Sequence, residues 1–260
     1  MNHILPVTGR CARPFLRAAR SRCLVLFAAA TLLTWPLRAQ DPVKEFPQNY
    51  KLILENDQVT VIRAHYGPHE HVAVHEHSSY PTVYVYLSDS GPVRFDQLQV
   101  PAFSNVRPPV HAGDFQFAPG ILGRHTVDNL GDQSSDFLRV ELRQFPMKTG
   151  SQFRGNAPAA LSQDSDAKQY SGPAVDVERV ICLPDKLCAL AAGQTPSLLV
   201  AFSGTRVVDN ADPSRNVVLG PGEMKWLSTP DSLTVSAATT APAHLLRIWI
   251  KTPVQHLPGL

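Results

Sequence analysis

Residues Gly67 to Leu87 read GPHEHVAVHEHSSYPTVYVYL. The run Thr82–Leu87 alternates β-branched and aromatic residues, and the run from His71 to His77 carries β-branched valines among polar residues. Both patterns predict β-strands, with SSYP as the turn between them. The chain has ten histidines, and half of them fall between positions 65 and 77. On a strand, residues two apart share a face, so His75 and His77 point to one side and Glu76 to the other. If that side is the interior of a small barrel, two imidazoles enter it together. Buried imidazoles need partners, and a metal ion is one that serves both. His69 and His71 follow a Gly-Pro turn and are expected at a solvated rim.

The same signals extend in both directions. YKLILEN, QVTVIRAHY, PVRFDQLQV, GDFQFAP, RHTVDNL and DFLRVELRQF read as further strands, separated by END, YGP, SDSGP, HAG, PGILG and NLGDQSS. Short strands at this density imply an all-β sandwich or barrel. A polar segment follows, residues 147–173, which reads as a linker with one helical turn near Leu161 to Tyr170. Beyond it the pattern repeats. DVERVICLPD echoes QVTVIRAHYGP, TPSLLVAFSG echoes YPTVYVYLSD, GPGEMKWLSTP echoes HAGDFQFAPG, and APAHLLRIWIK echoes SSDFLRVELR. Four echoes in order imply two copies of one β-module, residues 46–146 and 174–254.

A second motif supplies a third histidine. In GDFQFAPGILGRHTVDN, Gly113 precedes Pro119 and Gly120, and His125 and Asn129 follow. Together with the His75/His77 pair, this resembles the cupin family. Its first motif is a glycine, a His-x-His pair and a glutamate; its second is a glycine, a proline, a further glycine, a histidine and an asparagine. Gly113, Pro119, His125 and Asn129 match the second motif, with Gly123 closer than Gly120 to the expected glycine. Two features depart from the pattern. Gly67 lies two residues too far from His75, and the glutamate position falls on Thr82 or Pro81. The resemblance implies a jelly-roll barrel in each module and a divalent transition metal on His75, His77 and His125. Neutral imidazoles suit Fe, Zn, Ni or Cu, and three protein ligands leave positions open for water and substrate. Thr82, Tyr84 and Tyr86 share a strand face and are expected to line the pocket.

In the second copy, Leu190 and Ala192 stand where the first has His75 and His77, and Leu233 or Thr234 stands opposite His125. None of these binds metal. The second module is therefore read as degenerate, packing on the first and protecting its sheet edges. His244 is expected on a strand or at the surface and His111 in a loop. The charged alternation Arg139, Glu141, Arg143 is expected on a solvated face.

The N-terminus points to export. Five arginines precede the apolar run Cys23–Leu37, and Ala39 marks a cleavage point, so residues 1–39 read as a signal peptide. The expected location is periplasmic or secreted, with no membrane association once the leader is removed. Six of the 24 basic residues and none of the 22 acidic ones precede Gln40, so the remainder carries 18 against 22 and a net charge of −4. With no basic stripe, nucleic acid is not an expected partner. Cys182 and Cys188 flank a Pro-Asp turn in VICLPDKLCAL, as a short disulfide or as two buried thiols. The expected partners are a small-molecule ligand or substrate and, for assembly, a homodimer. Among functions, the three-histidine set is similar to that of cupin dioxygenases, which makes a metal-dependent oxidoreductase one reading. The other readings are a periplasmic small-molecule-binding module without catalysis and a metal-lean assembly partner.

Overall fold

The computed structural model describes residues 41–120, 123–228 and 231–253. The expected signal peptide lies outside them. After a short helix, α1 (Pro42–Glu45), the chain forms strands β1 (Tyr50–Glu55), β2 (Val59–Tyr66), β3 (His71–Glu76), β4 (Thr82–Tyr86), β5 (Val93–Gln97), β6 (Phe103–Arg107), β7 (Phe115–Ala118), β8 (Arg124–Asn129) and β9 (Ser135–Leu142). Next come β10 (Phe153–Gly155), β11 (Ser165–Ser171), β12 (Val175–Cys182), β13 (Cys188–Ala189), β14 (Ser197–Ala201) and β15 (Thr205–Asp209). The last are β16 (Val217–Leu219), β17 (Met224–Leu227), β18 (Leu233–Ala237) and β19 (Ala243–Ile250).

These strands form four antiparallel sheets. The first module pairs a sheet ordered β1-β2-β9-β4-β7-β10 with one ordered β3-β8-β5-β6. The second pairs β11-β12-β19-β14-β17 with β13-β18-β15-β16. The two orders correspond strand for strand: β12, β19, β14 and β17 occupy the places of β2, β9, β4 and β7. Those are the four segments whose sequences echo one another.

The segment 147–173 does not form the expected helical turn. It gives β10 to the first module, against β7, and β11 to the second, against β12. Lys168–Ser171 is extended because Tyr170 and its alternating neighbours pair with β12, where a helix would leave the β12 edge groups unpaired. β6 is a strand that the sequence does not announce. Prolines at 101, 108 and 109 bracket it and mask its pattern, yet it pairs with β5 over five residues.

The period-two rule explains the packing. In β2, β4, β7 and β9, the side chains Val59, Val61, Val83, Val85, Phe115, Phe117, Leu138, Val140 and Leu142 are all at most 1% exposed. They form one core with Val175, Val177, Leu198, Val200, Leu246 and Ile248 of the second module. The large sheets of the two modules thus pack face to face. The second module packs on a face of the first. Residues of the opposite parity turn inward: Tyr50, Ile62, Ala64, Tyr66, Tyr86 and Phe137 line the first barrel's interior.

This double coverage overturns the expected solvated face. Arg139 and Glu141 are 7% and 4% exposed, and Arg139 Nε donates to Glu141 Oε1 at 2.6 Å. Their parity aims them into the barrel, while Leu138 and Val140 face the other module. Only Arg143, past the strand end, reaches Glu55 near solvent.

Cys182 and Cys188 are disulfide-bonded, with Cα atoms 5.9 Å apart. The Pro-Asp turn between them joins strands of different sheets, because β12 pairs with β11 and β19 whereas β13 pairs with β18. The bond therefore ties the second module's two sheets together. Among the described residues, no helix is long and apolar enough to cross a membrane.

Candidate metal centre

His75 lies on β3 directly opposite His125 on β8, and His77 follows one residue past the end of β3. The ladder register shifts between Val72 and His75. One ring nitrogen from each of the three histidines lies within 4.8 Å of the others. The His75 and His125 ring centroids are 4.6 Å apart, and His77 lies 5.0 and 5.6 Å from them.

The protonation pattern suits ligation. His75 Nδ1 lies 2.8 Å from the Ala73 carbonyl, which can only accept, so Nδ1 carries the proton and Nε2 the lone pair. His77 Nδ1 is buried without a hydrogen-bond partner. Burial lowers the pKa of His75 and pushes that of His77 well below the usual imidazole range, with the Arg139 charge adding to both. Burial and then the neighbouring His75 bring His125 down to about 4. All three are neutral at pH 7, the form a metal ion requires. An orphaned buried nitrogen among three converging neutral imidazoles fits a transition metal ion.

Around them is a cavity of about 290 Å³. Thr82, Tyr84 and Tyr86 line it, as do Tyr50, Tyr66 and Arg139. The position expected to carry glutamate is Thr82, whose hydroxyl donates to the Tyr80 carbonyl. Its cross-strand neighbour Glu141 is held by Arg139, so no carboxylate joins the histidines among the described residues. Tyr50 stands there instead, its Oη 2.8 Å from His75 Nε2 and 2.9 Å from the Tyr66 hydroxyl. Arg139 Nη1 donates to the Tyr84 hydroxyl at 2.6 Å.

The other motif residues are structural. Asn129 Nδ2 donates to the carbonyls of Tyr66, Gly67 and Gln133, closing the rim of the barrel. Gly120 has φ +83°, and a Cβ there would lie 2.3 Å from the Ser79 carbonyl oxygen. His65, His69 and His71 pair with Asp136, Asp132 and Asp128 on the exposed side. His111 sits in an exposed turn beside Asp89. His244 is on β19 but is not a surface residue: it is 5% exposed and accepts from Arg179 Nη1 at 2.7 Å.

The second barrel is filled. Leu190 N donates to the Leu233 carbonyl, placing those two where His75 and His125 meet in the first. Both leucines join a continuous apolar core with Val207, Leu219 and Val235. Solved structures with a similar fold include the following. AerE from Microcystis aeruginosa superposes with a TM-score of 0.55 at 11% identity, over 78% of this chain and 98% of that one. A single-substitution variant of oxalate decarboxylase from Bacillus subtilis gives 0.52 at 13%, over 80% and 71%. The chain has a bicupin fold.

YhaK from Escherichia coli is also similar, with a TM-score of 0.52 at 11% identity over 78% of this chain and 92% of that one. Identities this low speak to the bicupin architecture alone. No family model and no curated protein sequence matches the chain.

Sequence reasoning does not reach Tyr50, Tyr66, Arg107, Arg139 or Arg154 as cavity residues. Tyr50 and Tyr66 share the inward parity of Ile62 and Ala64, a signal that needs the strand pairing to be read. Arg139 is obscured by its charge, and Arg107 by the prolines beside β6.

Proposed function

We propose that this bicupin is an exported metal-dependent protein that binds one divalent transition metal ion through His75, His77 and His125. It processes a small organic molecule in the adjoining cavity. The observation that carries the reading is the convergence of three neutral imidazoles, one buried and two half-buried, on one wall of a closed-in barrel. In the second barrel Leu190 and Leu233 pack at the positions of His75 and His125, so the histidines are not a requirement of the fold.

When bound, the ion supplies Lewis-acid or redox chemistry at positions that the protein leaves open. The chain's own residues orient the ligand and exclude water. Tyr50 and Tyr84 present hydroxyls to the cavity, and Arg139 fixes the Tyr84 hydroxyl. A small-molecule oxidoreductase is the reaction class favoured for a three-histidine set without a carboxylate. Oxalate decarboxylase of Bacillus subtilis has Mn(II) centres, which adds manganese to the candidate metals. Three imidazoles and no carboxylate nonetheless favour Fe, Zn, Ni or Cu over Mn. The non-catalytic reading, a binding barrel in the periplasm or outside the cell, needs the cavity alone.

The test is metal content by elemental mass spectrometry on residues 40–260, purified without a histidine tag, beside a His75→Ala/His125→Ala variant. Close to one equivalent of Fe, Zn, Ni or Cu, lost in the variant, is the expected result. No metal in either protein after reconstitution sinks the metal-dependent reading and leaves the binding barrel.

A further inference from the structure

Arg107 ends β6 and is 5% exposed. Its Nη2 donates to the Ser90 hydroxyl, the Gly91 carbonyl and the Ser135 hydroxyl at 3.0, 3.1 and 3.2 Å. All three partners are neutral. Nη1 is buried with no partner. The guanidinium lies over the Tyr86 ring at 5.0 Å and forms part of the cavity wall. A buried cation is costly unless an anion faces it. The buried Arg139 and Arg247 follow that rule, each with a carboxylate oxygen at 2.6 Å; Arg179 is held by His244 and two backbone carbonyls instead, away from the cavity. Arg107 does not follow it.

A second guanidinium stands nearby. Arg154 on β10 lines the same cavity, and its charge is felt at both Arg107 and Tyr86. Neither Arg107 nor Arg154 is in a salt bridge with a carboxylate among the described residues. β6 and β10 are the outermost strands of their sheets, and both contribute side chains to the same cavity. The two cations therefore flank the open edge of the first barrel. His75 lies on β3, His77 just past its end and His125 on β8. Pairing places Arg107 in one row with Val93 and Asn129, and His125 in one row with Gln97. That is two strands and four residue steps apart, about 10 Å across the sheet and about 13 Å along it. Side chains reaching inward from both ends shorten the span to the length of a small molecule.

We propose that the cavity takes a small aromatic or otherwise apolar organic acid, its carboxylate held by Arg107 and Arg154 and its body directed toward His75, His77 and His125. The wall between the two ends carries Tyr66, Tyr86, Phe95 and Phe137, which suits an apolar body. The unpartnered Nη1 of Arg107 supplies a charged donor for a carboxylate oxygen. The inference rests on the proposed cavity function but not on the metal.

The test is titration calorimetry of the full chain with acetate, phenylacetate and benzoate, beside the neutral isostere benzamide, with metal content measured on every preparation. At least one acid is expected to bind, and benzamide to bind more weakly than benzoate by roughly ten- to a hundredfold. Arg107→Gln is expected to lose the same factor for the acids while keeping its metal content. Arg154→Gln, at an exposed position that does not threaten folding, should lose a smaller factor. Acid binding that depends on Arg107 in protein without metal supports the inference while the metal reading fails. Three results overturn it, whatever the metal content: no binding by any of the acids, equal affinity for benzoate and benzamide, or unchanged acid affinity in both arginine variants.

Discussion

The Tyr50 hydroxyl donates a hydrogen bond to Nε2 of His75 across 2.8 Å, and so engages the one nitrogen of that ring that is free to bind a metal ion. Tyr66 donates in turn to Tyr50 at 2.9 Å. Burial holds both phenols well above their usual pKa, so both are neutral in the metal-free protein. An ion arriving at Nε2 has to displace the Tyr50 proton.

Tyr50→Phe removes that competition. The variant is expected to bind the ion about fivefold more tightly, the equivalent of one net hydrogen bond. It is also expected to lose about 1–2 kcal/mol of metal-free stability, because Tyr66 is left without its acceptor. Affinity from competition with a chelator and stability from denaturant titration check both. Weaker affinity in the variant would identify the Tyr50 oxygen as a fourth ligand.

Glu141→Ala strips the partner from Arg139 in a site where both are buried. Leaving that cation unpaired should cost about 3–5 kcal/mol, measured as a drop in the urea midpoint at constant slope. Glu141→Gln keeps an acceptor for Arg139 Nε and should cost less. A loss below about 1 kcal/mol for the alanine variant would mean that the Tyr84 hydroxyl and the Ser78 carbonyl satisfy Arg139 by themselves.

His244 makes the fold acid-sensitive. Burial, and then the charge of Arg179, bring its pKa down to about 4 in the folded chain. The unfolded chain, with an ordinary histidine, takes up its proton near pH 6.5. The unfolded state therefore binds more protons between those values, and stability falls as the pH drops from about 6.5 to about 4. His244→Gln retains an acceptor for Arg179 and should flatten the fall in thermal midpoint over that window. Chelator present throughout keeps the other histidines comparable, and an unchanged slope would remove His244 from the explanation.

A chain ending at residue 146 loses the cover over Val61, Val83, Val85, Phe117, Leu138 and Val140, each at most 1% exposed in the whole protein. That truncation is expected to aggregate, or to bind a hydrophobic dye without a cooperative melt. A monomeric product with a sharp transition would show that the face-to-face packing is dispensable.

Much of this protein is legible from residue order alone. Alternation locates every large strand of the first module except β6, because a one-residue shift would send a whole apolar set to the wrong face. The four echoing segments announce the repeated architecture for the same reason. The spacing of His75 and His77 on one strand, and the second motif at His125, name the cluster, since side-chain direction on a strand depends on position parity. Leucine at positions 190 and 233 marks the second barrel as filled.

Tertiary structure decided what lies on the other side of each sheet. Arg139 and Glu141 alternate like a solvated face, and only the closure of the first barrel over that face makes it an interior one. His244 reads as an ordinary strand residue until Arg179, 65 positions away, is found against its ring. Tyr50, 25 residues before His75, reaches its Nε2 through the pairing of β1 with β2 and the closure of the second sheet over both. Arg107 and Arg154 line one cavity only because β6 and β10, the outermost strands of different sheets, both contribute side chains to it. Parity along a strand is a local property of the backbone, so sequence determined it. Burial, the pairing of charges and the shape of the cavity depend on which sheets meet, and that is settled by contacts between residues far apart in the chain.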